Sequence, residues 1–363
     1  MTRYLLAGGG TAGHVNPLLA VADRIMDREP DAVVLVLGTA EGLEARLVPA
    51  RGYRLLVVAR LPFPRRPNRA ALAFPGAFRN LITSIQELIS EHRIDVVVGF
   101  GGYVSAPAYL AARREGLPIV VHEANAKAGM ANRLGARLTR FVGVAFPAAR
   151  LPHARFVGMP LRREIEGLDR RAERGHAIAH FGLDPRKPVL LVTGGSQGAK
   201  RINETVFAGA ATILGAGWQI LHITGERSEL VASDLAGYTL LPYCDRMDLA
   251  LAAADLAVAR AGSATVSEFT ALGVPAVYVP LAIGNGEQRL NARDVVRLGG
   301  AMIVDNSSFT PEWIASRLVP LLQDRALIAE MSALALQAGV LDGADRTVDL
   351  VLEALAARVR LSR

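Results

Sequence analysis

The sequence predicts an α/β fold built from two Rossmann-like domains in tandem. Three observations predict it. Short, β-branched, nearly continuous apolar runs alternate with helical patterns along the chain, the signature of βαβ units on parallel sheets covered on both faces. The set of candidate strands restarts near the middle. Each set also opens alike, a strand leading into a glycine turn and then an apolar helix. Leu5-Leu6-Ala7 leads into Gly8-Gly9-Gly10-Thr11-Ala12-Gly13-His14, and residues 189–193 lead into Gly194-Gly195-Ser196-Gln197-Gly198.

Strands of the first set are expected at 4–7, 33–37, 55–58, 96–99, 119–122 and 141–143. Those of the second are expected at 189–193, 219–223, 256–259, 276–279 and 301–304. Between the sets lies Phe156-Val157-Gly158-Met159-Pro160, followed by a charged stretch, and the boundary is expected there, giving domains of 1–158 and 159–345. The last pattern, Thr347 to Val359, has helical spacing, so a helix over 346–363 is expected to return to the first domain.

A length of 363 residues with 51% apolar content supports two full cores. The 41 basic and 34 acidic residues leave +7. That excess is local: residues 1–158 carry 20 basic and 11 acidic side chains, the remainder 21 and 23. From Ala45 to Gln86 there is no acid but eight arginines: Arg46, Arg51, Arg54, Arg60, Arg65, Arg66, Arg69 and Arg79. A preference for Arg over Lys explains the choice of cation, not the missing acids. Halves of unlike charge point to an anionic membrane, nucleic acid or substrate. Within this segment, Leu61-Pro62-Phe63-Pro64-Arg65-Arg66-Pro67 and Leu72-Ala73-Phe74-Pro75 leave two readings open: a contact with an anionic bilayer, or a mobile loop with a coincidental charge run. After it, Phe78, Leu81, Ile82, Ile85, Leu88 and Ile89 repeat as an ordinary core stripe.

The first residues run straight into glycines and are not expected to form a signal peptide. No uninterrupted apolar run reaches the length of a spanning helix. The single cysteine, Cys244, excludes an internal disulfide framework. A soluble, cytosolic chain is expected, able at most to touch a membrane from outside.

A glycine turn between strand and helix brings backbone close to a phosphate, and the helix start offers N–H groups and partial positive charge. Gly8, Gly10 and Gly13 satisfy the dinucleotide fingerprint. That fingerprint requires an acid near the end of the second strand, about 20 residues on; here the strand ends Leu37-Gly38-Thr39, and the acid nearest that end, Glu41, lies 28 past Gly13. Each loop is either an anion site or a tight structural turn, and the presence of two favours a pair of anion sites. His14 at the first loop either serves as a general base or hydrogen-bonds the turn. Arg260 to Glu268 follows a strand and opens a helix with Ser263 as its expected N-cap. There Glu268 either complements the helix dipole or accepts ribose hydroxyls. Gln288, after a glycine-rich loop, suits sugar hydroxyls or is simply solvated. His122-Glu123-Ala124-Asn125 lies at the carboxyl edge of the first sheet, where ligands of α/β folds bind. His176 and His180 read as a surface helix rather than a zinc site, and no Asp-x-Asp clamp occurs.

Six stretches, in order, resemble the MurG family over essentially the whole chain: Gly9–His14, Gly99–Ser105, His122–Asn125, Gly194–Ala199, Arg260–Glu268 and Glu287–Ala292. The resemblance implies a GT-B architecture, two Rossmann-like domains facing across a cleft, the first meeting acceptor and membrane and the second binding the UDP-sugar. It implies inverting transfer of N-acetylglucosamine from UDP-N-acetylglucosamine to the C4 hydroxyl of undecaprenyl-linked N-acetylmuramoyl-pentapeptide, in peptidoglycan synthesis, at the cytoplasmic face of the bacterial plasma membrane. Carried over by position, Ser196 and Gln197 would hold the donor phosphates, Glu268 the ribose, backbone near Cys244 the uracil, and Gln288 the sugar. Arg260, Ser263, Ala264, Thr265, Val266 and Ser267 belong to the same donor site, completed by Thr11, Ala12, Gly13, Asn125 and Arg162. Gly10, His14, Gly102, Tyr103, Glu123 and Asn125 would face the acceptor, with His14 as catalytic base. No metal or other cofactor is implied, and the partners are the two substrates and an anionic membrane surface, not nucleic acid. The sequence departs from the family pattern at Ala12, Met159 and Glu287, where Gly, Asn and Gln are common, and at Cys244, usually a branched aliphatic. The alternatives are an NAD(P)-dependent oxidoreductase using the first loop, another GT-B UDP-sugar enzyme, or a basic nucleic-acid-binding module.

Overall fold

The computed structural model describes residues 1–64, 69–195, 197–230, 233–281 and 286–361. The chain divides into two units, Met1–Arg162 with Leu341–Arg363, and Arg163–Val340.

The first unit runs β1 (Arg3–Gly8), α1 (Ala12–Arg28), β2 (Val33–Gly38), α2 (Glu44–Ala50), β3 (Arg54–Val57) and α3 (Arg69–Glu91). It continues with β4 (Val96–Gly101), α4 (Ser105–Arg114), β5 (Ile119–Glu123), α5 (Met130–Gly135), β6 (Phe141–Val144) and β7 (Ala154–Phe156). Its seven strands are all parallel, in the order β3-β2-β1-β4-β5-β6-β7. Alternation along β1 feeds two cores: Leu5 and Ala7 pack with Val97, Val121, Tyr109 and the Leu81, Ile82, Ile85 and Ile89 stripe of α3. Tyr4 and Leu6 pack on the other face with Val36, Val98 and Leu18.

The second unit runs α6 (Arg163–Glu166), α7 (Arg170–His180), β8 (Val189–Thr193), α8 (Lys200–Ala208), α9 (Ala210–Gly215), β9 (Gln219–Ile223) and β10 (Tyr238–Leu241). Then come α10 (Met247–Ala253), β11 (Leu256–Ala259), α11 (Ser263–Ala271), β12 (Ala276–Tyr278), α12 (Glu287–Leu298) and β13 (Ala301–Ile303). Short helices α13 (Pro311–Trp313) and α14 (Val319–Gln323) flank a π-helical turn and precede α15 (Arg325–Ala338). This sheet too is parallel, ordered β10-β9-β8-β11-β12-β13. Arg170 on α7 donates to the carbonyls of Leu251, Ala254, Leu272 and Gly273, closing the C-terminal ends of α10 and α11 with a cation. His176 on the same helix bonds Glu173, and His180 stands edge-on to Phe181.

The last helix, α16 (Gly343–Leu361), returns to the first unit, where Val348, Leu350, Val351 and Ala354 join the core beside α1. Arg28 at the end of α1 pairs with Asp345 and Asp349 of α16. By length and composition, Arg325–Arg358 is apolar enough to cross a membrane. The structure breaks that stretch after Ala338 into α15 and α16, whose apolar faces serve the separate cores. Two strands escape the sequence pattern: β7, three exposed residues, and β10, a short run with mixed burial. Both are edge strands, with less need of an apolar run.

Candidate active site

In both sheets the chain order reverses beside the first strand of the set, between β1 and β4 and between β8 and β11. At such a switch point connections leave towards opposite faces, and a crevice opens at the carboxyl ends of the strands. The motifs singled out in the sequence are the loops that follow these strands.

In the first unit the β1 and β4 loops touch backbone to backbone. Gly102 has φ +84°, and a Cβ there would lie 2.6 Å from the Gly9 carbonyl oxygen, so both conformation and space require glycine. Ser105, fully buried, donates to the carbonyls of Ala7 and Gly101 and accepts from the Gly101 N–H, joining the two strand ends. Tyr103 is partly exposed beneath the Arg60 guanidinium, 5.9 Å from its ring centre.

His14 is the third residue of α1. Its Nδ1 lies 3.0 Å from the Gly9 carbonyl and 3.2 Å from the Thr11 hydroxyl. A carbonyl only accepts, so that bond puts the proton on Nδ1 and leaves the Nε2 lone pair bare. Nε2 lies against Gly101, 3.0 Å from where a Cβ would stand. Ala12 is simply the first helical residue, the left-handed conformation falling on Gly10 at φ +86°. That settles the question raised by its departure from glycine.

One expectation for this loop is corrected. The Gly10 N–H donates to the Glu44 carboxylate at 2.8 Å, and the same carboxylate accepts from the N–H and hydroxyl of Thr39. The loop's own acid already takes the Gly10 N–H. A ligand phosphate would meet a carboxylate, so this loop is not the twin of the second, and the dinucleotide reading loses its seat. The anion-binding capacity of this loop lies in the start of α1 at Ala12 and Gly13, where the N-cap Thr11 makes no side-chain cap. By sequence distance neither Glu41 nor Glu44 fits the fingerprint's acid, and nothing in the pattern marks Glu44.

Glu123 is also reassigned. It is buried and accepts from the N–H groups of Asn125 and Gly129 and from the Asn132 amide. Its carboxylate shapes the Asn125 loop instead of facing an acceptor. Asn132 in turn accepts from Tyr109. His122 is buried, its Nε2 on the Gly158 carbonyl, and burial pulls its pKa down to about 4. Asn125 and Arg162 are half-buried.

In the second unit, a cavity of about 660 Å³ opens at the switch point between β8 and β11. Gly194, Gly195, Gly198 and Lys200 line one side, Arg260, Gly262 and Thr265 the other, with Gln288 and Asn306 from the following elements. Two helix starts converge there, α8 after Ala199 and α11 after Gly262, neither capped by a side chain. Ser263 is therefore the first helical residue, not the cap; Gly262 in extended backbone takes that position. The uncapped N–H groups and the Arg260 guanidinium give the cavity an electropositive wall, while Lys200 pairs at 3.7 Å with Glu204, which also lines it. Gly198, at φ +77°, packs so tightly on Thr224 and Gly225 that no side chain fits. Ser196 lies outside the described residues, as do Arg65, Arg66, Gly284 and Asn285; Gln197 is exposed in the turn beside Ser196.

Arg260 donates to the carbonyls of Val279 and Pro280 and to the Asn306 amide oxygen, which sets its guanidinium in the cavity wall. Gln288 accepts from the Leu281 N–H through its amide oxygen. Asn291, one turn on, is buried and donates to the Ala261 carbonyl, tying α12 to the Arg260 loop. Ala264 and Thr265 flank the helix start, while Val266 and Ser267 turn into the core, so their side chains face away from a donor. Glu268 stands half-buried in the second turn of α11. Cys244, between β10 and α10, is half-buried, and burial pushes its thiol up to about 11. A neutral thiol there suits a backbone role. Lys200, Arg201 and Asn306 were not read as site residues, because a lone surface cation or amide carries no pattern.

Two tandem parallel-sheet units, the second with a cavity flanked by two helix starts, have the architecture of a two-domain nucleotide-sugar glycosyltransferase. Residues 4–144 match the glycosyltransferase family 28 N-terminal domain and residues 189–347 the family 28 C-terminal domain. The UDP-N-acetylglucosamine--N-acetylmuramyl-(pentapeptide) pyrophosphoryl-undecaprenol N-acetylglucosamine transferase of Leifsonia xyli subsp. xyli is 63% identical over 357 residues, 98% of this chain and 100% of the relative. The chain belongs to the MurG family of these transferases. A Streptomyces coelicolor relative of the same name is 49% identical over 99% of this chain and 100% of its own. The crystal structure of Acinetobacter baumannii MurG superposes with a TM-score of 0.79 at 30% identity, covering 97% of this chain and 100% of that one. A calicheamicin glycosyltransferase, at 19% identity and TM-score 0.71 over 99% of each chain, shares the fold alone, which is GT-B.

Proposed function

We propose that the chain transfers N-acetylglucosamine from UDP-N-acetylglucosamine to the C4 hydroxyl of lipid-linked N-acetylmuramoyl-pentapeptide, with inversion at C1. The observation that carries this reading is the second-unit cavity, with two uncapped helix starts beside Lys200 and Arg260, in a chain similar end to end to relatives named for these substrates. His14 Nε2 takes the hydroxyl proton. The freed oxygen attacks C1 from the face opposite the diphosphate, the C1–O bond to UDP breaks, and a β-1,4 bond forms. Helix N–H groups and cations stabilise the leaving UDP, a preorganised electrostatic role. Gln288 addresses the sugar, Glu268 the ribose, and Tyr103 the acceptor. Incubation of the full chain with radiolabelled UDP-N-acetylglucosamine and the lipid-linked acceptor should yield labelled lipid product. Free labelled sugar alone, or no turnover, would remove this reading.

The first unit also supports peripheral contact with an anionic membrane at its cytoplasmic face. Phe63 and Leu72 are 57% and 85% exposed; Phe63 meets Phe74 edge to face with ring centres 5.3 Å apart, and Phe74 stacks on Phe78 at 5.4 Å. Arg60 and Arg79 are exposed nearby in sequence, within the acid-free segment. The Phe63→Asp/Leu72→Asp double variant should bind anionic phosphatidylglycerol vesicles at least about tenfold more weakly, since two large apolar side chains lose their lipid. Unchanged co-sedimentation would place the contact elsewhere.

A further inference from the structure

Glu44 is 1% exposed, on a helix facing the first glycine loop, and gives or takes no proton in the transfer step. The chain nonetheless makes room for it. A Cβ on Gly9, Gly38 or Gly42 would run into the Glu44 side chain, so three glycines from different segments leave space for one carboxylate. One oxygen, Oε1, accepts from the Thr39 N–H at 3.0 Å and the Thr39 hydroxyl at 2.9 Å. The other, Oε2, accepts from the Gly10 N–H at 2.8 Å. Burial alone would raise its pKa, but the bonds from Gly10 and Thr39 outweigh it and hold the group below the usual carboxylate range. The buried side chain is therefore an anion at neutral pH.

The Gly10 N–H and the Gly9 carbonyl belong to one peptide unit. That unit is planar and trans, so its N–H and C=O point in opposite directions. On the N–H side sits the Glu44 carboxylate; on the C=O side sits His14 Nδ1, at 3.0 Å. We propose that Glu44 is a positioning residue for the transfer, acting through the Gly9–Gly10 peptide to hold His14 with Nδ1 protonated and Nε2 bare. The proposal rests on His14 being the base.

Two physical effects follow. The carboxylate fixes the rotation of the peptide, so the carbonyl cannot swing away from the imidazole. It also polarises the amide, because an anion at the N–H places more negative charge on the carbonyl oxygen and strengthens the next bond in the chain. As Nε2 takes the acceptor proton, the growing imidazolium charge is met by that carbonyl and, one peptide further, by the carboxylate. In a serine protease an aspartate bonded directly to histidine fixes its tautomer; here one peptide unit stands between the two.

The test combines kinetics with histidine tautomers. Glu44→Gln keeps the shape and removes the charge. Its kcat should fall by about 10- to 100-fold, by analogy with the loss when the partner that orients a metal-bound histidine is removed, with little change in KM for UDP-N-acetylglucosamine. Nitrogen-15 NMR of histidine-labelled wild type, with the His14 signal identified by its loss in His14→Ala, should show protonated Nδ1 and bare Nε2. In Glu44→Gln that signature should shift towards the other tautomer. Wild-type kcat and an unmoved His14 signature in Glu44→Gln would overturn the proposal, with the base reading intact if His14→Ala is inactive. Full turnover in His14→Ala would overturn both. If Glu44→Gln does not fold, the wild-type spectrum decides: a His14 carrying its proton on Nε2 contradicts the geometry.

Discussion

Replacing His14 by alanine is expected to lower turnover by about 10²–10⁴-fold, the usual contribution of a positioned general base, with KM for the UDP-sugar nearly unchanged. The imidazole is fixed at one end by the Gly9 carbonyl and the Thr11 hydroxyl, and its other nitrogen is bare against Gly101. Truncation removes a group whose contribution arises when the proton moves. Turnover and kcat/KM for the acceptor should therefore fall together, the mark of an interaction made in the transition state. His14→Gln sharpens the case. An amide can occupy the space and accept a hydrogen bond, yet it is not a base, so it should leave acceptor binding as it is without recovering rate. A single-turnover assay with both substrates saturating would separate the two, and wild-type turnover in either variant would move the base elsewhere.

Much of this architecture is legible in the residues because buried parallel strands write themselves as continuous apolar runs. Val96-Val97-Val98 and Leu190-Leu191-Val192 can be nothing but central, and they are fully buried. The edge strands β7 and β10 are not legible, since an edge is free to carry Arg155 or Thr239. The glycine loops are legible as turns after strands, but the distinction between them is not. What separates them is Glu44, whose carboxylate folds back over the loop to Gly10 from 34 residues away. Spacing alone gives no sign of it. The α11 start misleads for a related reason: Ser263 is the better cap by propensity, and the chain instead uses Gly262 and leaves the helix end uncapped. Local preference is given up where backbone N–H groups face the cavity.

The second large expectation concerns pH, and it follows from two histidines buried without charge. His222 lies inside β9, with Nε2 3.1 Å from the Asn203 amide oxygen and Nδ1 2.8 Å from the Tyr238 hydroxyl. Asn203 Nδ2 donates to the Thr224 carbonyl, so its oxygen is the acceptor end, His222 Nε2 carries the proton, and Tyr238 donates to Nδ1. A second proton has no place. His122, in β5, donates to the Gly158 carbonyl beside the Phe100 ring. Burial pulls both from the ordinary 6.5 down to about 4. The folded values lie below the unfolded ones, so on acidification the unfolded chain takes up protons first. Stability is complete above 6.5, is lost as pH falls towards 4, and suffers no further loss from these groups below that. By pH 4.5 each histidine should remove roughly 2–3 kcal/mol, a large share of a typical domain's total. Each unit contains one of them, so each should weaken separately. Trp218 and Trp313 both belong to the second unit, which makes tryptophan fluorescence a reporter for the His222 half. Urea midpoints from that signal should drop between pH 7 and 4.5, and His222→Gln, whose amide offers one donor and one acceptor but does not titrate, should flatten that dependence. A midpoint independent of pH across this window would mean that β9 accommodates the imidazolium. The polar chain from Tyr238 through His222 to Asn203 would then have to rearrange on protonation rather than resist it.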